Sequence, residues 1–110
     1  MSNVRVTVHA GICGFTNEVL AKCEDEPMVS FTIDTPCENI RGLISRLPAE
    51  VDAYEELGAG FSGDIHQAAV ASLRGCCSAC VVPNGIFKAM QVAAGVALPK
   101  EVGMEFERVE

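Results

Sequence analysis

Three times in its first 34 residues the chain alternates apolar and polar side chains. Val4, Val6 and Val8 are interleaved with Arg5, Thr7 and His9. Val19, Ala21 and Cys23 share one face of a second stretch, and Val29, Phe31 and Ile33 alternate with Ser30, Thr32 and Asp34. A period of two sends successive side chains to opposite faces of an extended backbone, so each stretch reads as a half-buried strand. The connections are short. Ala10-Gly11 ends the first strand, and the polar turn Glu24-Asp25-Glu26-Pro27 leads into the third. Strands joined so closely pair antiparallel, and the pattern predicts a three-strand meander.

After the third strand the period changes. Thr35-Pro36-Cys37-Glu38 fits a capping box, with Thr35 as N-cap, Pro36 at the first helical position and Glu38 reaching back. Ile40, Leu43, Ile44 and Leu47 then follow at helical spacing until Pro48 ends or kinks the run. Val51, Tyr54 and Leu57 continue as a shorter helix, and residues 58–63 form a loop with three glycines. Asp64 and Gln67 make a second, weaker capping-box pattern ahead of Ile65, Ala68, Ala69 and Leu73, with Gly75 as the stop. Residues 84–96 are rich in helix formers and carry Ile86, Ala89, Met90 and Ala93 along one stripe. Beyond Pro99, Val102, Met104 and Phe106 alternate with Gly103, Glu105 and Glu107 as a last strand. The expected architecture is an α+β fold, a small antiparallel sheet of the three-strand meander plus a C-terminal strand, packed by three to four helices.

At 110 residues the chain, residues 1–110, is sized for a single domain. Five Phe, one Tyr and no Trp leave the core to Val, Ile, Leu, Ala and Met. Lys plus Arg number 8 against 15 for Asp plus Glu, a net charge of −7 that argues against nucleic acid and anionic membranes as partners. No run approaches the roughly 18 apolar residues of a membrane span, and the start Met1-Ser2-Asn3-Val4-Arg5 lacks the basic-then-apolar order of a secretory signal. The expected location is the cytoplasm. In that reducing environment six cysteines do not form a disulfide framework, and metal or redox chemistry moves forward.

Cys13 lies in Gly11-Ile12-Cys13-Gly14, where the glycines let the backbone approach a bound group and leave N–H groups free for sulfur or an anion. Neither the P-loop nor the dinucleotide fingerprint fits this stretch. Cys37 falls near a helix start, where unpaired N–H groups favour a thiolate, with burial as a small apolar residue as the competing reading. In an up-down-up meander the ends of strands one and three lie on the same sheet edge, a topology that makes Cys13 and Cys37 neighbours. Cys77 and Cys80 have the two-residue spacing that grips one metal or serves thiol–disulfide exchange, and Cys76 is an adjacent substitute for Cys77. Cys23, in register with Val19 and Ala21, belongs to the core. His9 and His66 read as surface histidines, and Glu24-Asp25-Glu26, Glu55-Glu56 and Glu105/Glu107 as solvated acidic positions.

The order Ala10-Gly11-Ile12-Cys13-Gly14-Phe15, then Cys37, then Cys80-Val81-Val82-Pro83 followed by a helix and Leu98-Pro99-Lys100, resembles a small uncharacterised family of anaerobe and archaeal proteins. The resemblance spans nearly the whole chain. It implies that Cys13, Cys37 and Cys80 match the family motif, whereas Cys23 and the Cys76-Cys77 doublet do not clearly do so. Val81 stands where that motif has proline, and the resemblance implies no activity.

The leading expectation is therefore a metal-binding domain holding an iron–sulfur cluster through Cys13, Cys37, Cys77 and Cys80, an electron carrier or accessory protein with a protein redox partner and not a stand-alone catalyst. Three alternatives stay open: structural zinc on the same thiolates, a thiol–disulfide oxidoreductase with Cys77 as nucleophile and Cys80 as resolving thiol, and a homodimeric interaction module whose cysteines are packing material.

Overall fold

The structure is a computed structural model that describes residues 2–110. Its sheet is built from β1 (Ser2–His9), β2 (Thr16–Asp25), β3 (Met28–Asp34) and β4 (Val51–Asp52), in that order and antiparallel throughout. The helices are α1 (Glu38–Arg46), α2 (Ala53–Ala59), α3 (Asp64–Ser72) and α4 (Val82–Ala93), with short 3-10 turns at Gly60–Ser62 and Gly75–Ala79. The fold is α+β, as the periodicities predict.

Only one face of the sheet is covered. Val8, Val19, Ala21, Cys23 and Val29 are buried on it, while Arg5, Thr7, Glu18, Thr32 and Asp34 on the other face are exposed. In β1–β2 pairing Val4 stands opposite Ala21, Val6 opposite Val19 and Val8 opposite Asn17, so the apolar sets of neighbouring strands share a side. α4 lies across β1 and β2 and contributes Val82, Ile86, Ala89, Met90 and Ala93 to the core. Its approach is close enough that a Cβ at Gly85 would stand 2.5 Å from Val8 Cγ2, which is why glycine occupies a helical position there. α1 packs on α3 through a stripe in which Ile40 and Leu43 are buried and Ile44 and Leu47 half-buried.

Several sequence expectations need correction. The fourth strand is not C-terminal: residues 94–110 contain no strand, and Val102, Met104 and Phe106 are exposed. Its place in the sheet is taken by Val51–Asp52, which pairs with Met28 and Val29 on the far edge, so Val51 is a strand residue and not the start of a helix. In α2 the buried positions are Ala53 and Glu56, whereas Tyr54 and Leu57 face water. α4 begins at Val82, two residues earlier than expected, with Pro83 in its first turn, and α3 ends before Gly75.

Glu56 is also not a solvated acid. It is 4% exposed, and its carboxylate accepts hydrogen bonds from the backbone N–H groups of Asp64 and Ile65, both at 2.9 Å. A side chain distant in sequence thus does for α3 what an N-cap residue would do locally, and the expected Asp64/Gln67 capping box does not form.

Candidate metal centre

Three segments bring cysteines to one end of the sheet. The first is the connection between β1 and β2, closed by hydrogen bonds from Ala10 N–H to the Phe15 carbonyl (3.0 Å) and from Gly14 N–H to the Gly11 carbonyl (2.9 Å). Gly11 and Gly14 have φ of 87° and 76°, a region that residues with a Cβ rarely enter, so the tight loop depends on both. It leaves Cys13 exposed.

The second segment is the β3–α1 junction. Cys37 is the N-cap of α1 in extended conformation, not its second residue. Thr35 does not cap the helix: its hydroxyl accepts from the Cys37 N–H at 3.0 Å and donates to the side-chain amide oxygen Oδ1 of Asn17. Asn17, fully buried, in turn donates to the Val8 carbonyl at 3.4 Å. This chain of polar contacts runs from the end of β1 through β2 to Cys37, and it holds the Cys13 loop and Cys37 at the same end of the sheet. The sequence does not show the pairing of Asn17, although its register with Val19, Ala21 and Cys23 sets it on the apolar face of β2, where a polar side chain needs a partner.

The third segment is the 3-10 turn before α4. Cys77 N–H bonds to the Arg74 carbonyl at 3.1 Å and Cys80 N–H to the Cys77 carbonyl at 3.0 Å, so the two thiols ride on successive turns of one compact stretch. Asn39, in the first turn of α1, donates from Nδ2 to Cys77 Sγ at 3.5 Å and ties this segment to the second. No sequence signal marks Asn39 for that contact.

Cys13, Cys37, Cys77 and Cys80 all border one cleft of about 1930 Å³, and Cys76, exposed, borders it too. The Cys80 thiol is pushed above the ordinary thiol range, first by burial and then by the negative charge that Cys37, Cys77 and Cys13 would carry, against the opposing pull of the Val82 N–H. Cys37, Cys77 and Cys80 are half-buried, and Cys13 is exposed. As they stand, no three His, Cys, Asp or Glu side chains among the described residues converge closely enough to hold a single metal ion. Cys23 is 1% exposed in the core, as expected from its strand register.

The histidines divide. His9 is exposed on the outer sheet face, while His66 is half-buried between two aromatic rings, edge-on to Phe61 at 4.8 Å and stacked on Phe87 at 5.0 Å between centroids. It lines a second, smaller hollow of about 470 Å³ with Cys77 and Cys80. No helix among the described residues is long and apolar enough to cross a membrane.

Fold and site together define a small one-sided α+β domain with a cysteine-lined cleft at the end of its sheet. The chain belongs to DUF6951, a family of unknown function whose model matches residues 4–106, a span that contains every cysteine and most of the segment after α4. No curated protein and no solved structure matches it.

Proposed function

We propose that this protein binds an iron–sulfur cluster through Cys13, Cys37, Cys77 and Cys80 and serves as an electron carrier or accessory protein. The observation that carries the reading is that four cysteines from three separate segments border one cleft. The donor set is all sulfur. Soft thiolates suit iron–sulfur clusters and zinc, and a bound cluster would supply one-electron transfer. The chain's own residues would position the ligands: the Gly11–Gly14 turn carries Cys13, the Asn17–Thr35 contact fixes Cys37, and Asn39 orients Cys77 by donating to its sulfur. Zinc–thiolate bonds of about 2.3 Å would draw tetrahedral ligands to within roughly 3.8 Å of one another, a tighter gathering than a multi-iron cluster asks of its thiolates.

The thiol–disulfide reading finds little support in the geometry. Cys77 lies inside a 3-10 turn, and α4 begins only at Val82, so Cys77 does not open the helix that follows it as the nucleophile of a redox Cys-x-x-Cys pair would.

The test is anaerobic purification followed by the visible spectrum and by iron, sulfide and zinc analysis. Broad visible absorption with iron and sulfide in stoichiometric amounts is the expected result. A colourless protein with one equivalent of zinc replaces the cluster by a structural site, and a protein that takes up no metal overturns both. Cys13→Ser and Cys80→Ser should lose the metal and lower stability, because binding energy at such a site is folding energy. Cys23→Ala should keep it, at a packing cost of about 1 kcal/mol. Cys77→Ser should lose it and Cys76→Ser retain it; the reverse would move the ligand by one residue. Since the raised pKa of Cys80 keeps its proton on, loading must displace that proton, and apparent metal affinity should climb with pH.

A further inference from the structure

We propose that residues 102–106 form an exchanged strand that pairs with the free edge of β1 in a second copy of this chain, closing a two-fold dimer. The thiol chemistry plays no part in the argument. β1 is the terminal strand of the sheet, with β2 on one side and no strand among the described residues on the other, so a row of backbone N–H and C=O groups along Ser2–His9 has no strand partner there. Its residues Val4 to His9 line the large cleft, and residues 97–104 and Phe106 of the segment after α4 line the same cleft.

That segment has the composition of a strand and the exposure of one that lacks its sheet. Val102, Met104 and Phe106 are 69%, 67% and 92% exposed, and Leu98 and Val109 are exposed as well. A soluble chain leaves single apolar side chains in water as a matter of course, but a run of them with period two is an unmet packing surface. Laid beside β1 with these three toward the covered face, the segment would set its apolar side chains by Val4 and Val6, which are only half-buried at this edge. Gly103, Glu105 and Glu107 would then fall on the outer face with Arg5, Thr7 and His9.

Charge agrees with that placement. In a chain of net charge −7, the ionisable residues other than cysteine that the body contributes to the cleft wall are Arg5, His9 and Lys88, with no carboxylate among those described. The segment after α4 is acidic, with Glu101, Glu105, Glu107 and Glu110 against Lys100 and Arg108. The occupant is a second copy because exchange satisfies both free edges at once. Each chain donates one strand and receives one, the contact is self-complementary, and the assembly closes without leaving an edge to propagate. α4 ends at Ala93, whose carbonyl accepts from the Ser2 hydroxyl at 3.0 Å, and residues 101–110 follow, exposed and without secondary structure.

Sedimentation of the whole chain tests this. The expected species is a dimer. Removal of residues 100–110 should give a monomer with unchanged circular dichroism, and so should Met104→Pro, which takes an N–H out of the exchanged strand. Glu105→Lys with Glu107→Lys should weaken dimerisation about tenfold, and adding Arg5→Glu should recover it, since cross-strand pairs of like charge become pairs of opposite charge. A monomeric wild-type chain overturns the proposal, including the case in which hydrogen exchange shows the segment protected against its own β1. A dimer indifferent to truncation overturns it in favour of a helix-face interface. Every variant here retains the cysteines, so metal content measured on the same samples reports on the proposed cluster independently.

Discussion

The two ends of the chain carry the same pattern and meet different fates. Val4, Val6 and Val8 alternate with polar residues just as Val102, Met104 and Phe106 do, yet the first set lies in a sheet and the second is exposed in a segment without secondary structure. β1 has β2 hydrogen-bonded along eight paired positions and α4 pressed on its covered face, close enough to exclude a side chain at position 85. The C-terminal segment has neither within its own chain. A period of two therefore specifies which side chains share a face, while a ladder partner and a covering layer are what turn that potential into structure.

The widest separation between the two regions should come from placing a charge in each. Val8→Asp buries an unpaired carboxylate under α4 and should cost about 3 to 5 kcal/mol, enough to unfold a domain of marginal stability, as read by urea denaturation. Met104→Asp, compared at a concentration where both proteins are monomers, should change stability by less than about 0.5 kcal/mol. Equal losses at the two sites would break the comparison.

A smaller effect isolates what anchors the end of β1. Thr35→Val removes the hydroxyl that joins Asn17 to the Cys37 N–H and leaves a buried amide oxygen without its donor, at a cost of about 1 to 3 kcal/mol. Amide exchange in residues 10–15 should accelerate at the same time, because the loop that carries Cys13 depends on the strand ends that Asn17 holds together.

Gly85→Ala sharpens the role of the covering helix. Alanine raises helix propensity by about 1 kcal/mol, but the new methyl meets Val8, whose χ1 is stiff, and overpacking should win by about 1 to 2 kcal/mol in thermal unfolding. Val8→Ala in the same chain makes room, so the double variant should be less destabilised than the sum of the singles. Smallest of all is Ser2→Ala, which removes the hydrogen bond to the Ala93 carbonyl at the start of β1 and should cost about 0.5 to 1 kcal/mol.

Much of this molecule follows from local pattern alone. The three strands of the meander, the face each buries, the core position of Cys23 and the stripe of α4 all derive from spacings within a few residues, because side-chain direction in a strand or helix is set by backbone geometry. Tertiary structure decided the rest. Val51 continues a helical spacing in the sequence but pairs with Val29 because β3 offers it an edge; Glu56 resembles its solvated neighbour Glu55 until α3 begins beside it and needs an acceptor for two N–H groups. Cys37 became an N-cap when Thr35 turned to Asn17, a partner 18 residues away. Residues 102–106 keep a strand's pattern without a strand's structure. In each case the deciding contact is long-range, and a backbone group or apolar face satisfied from across the fold leaves no trace in the spacing of its own segment.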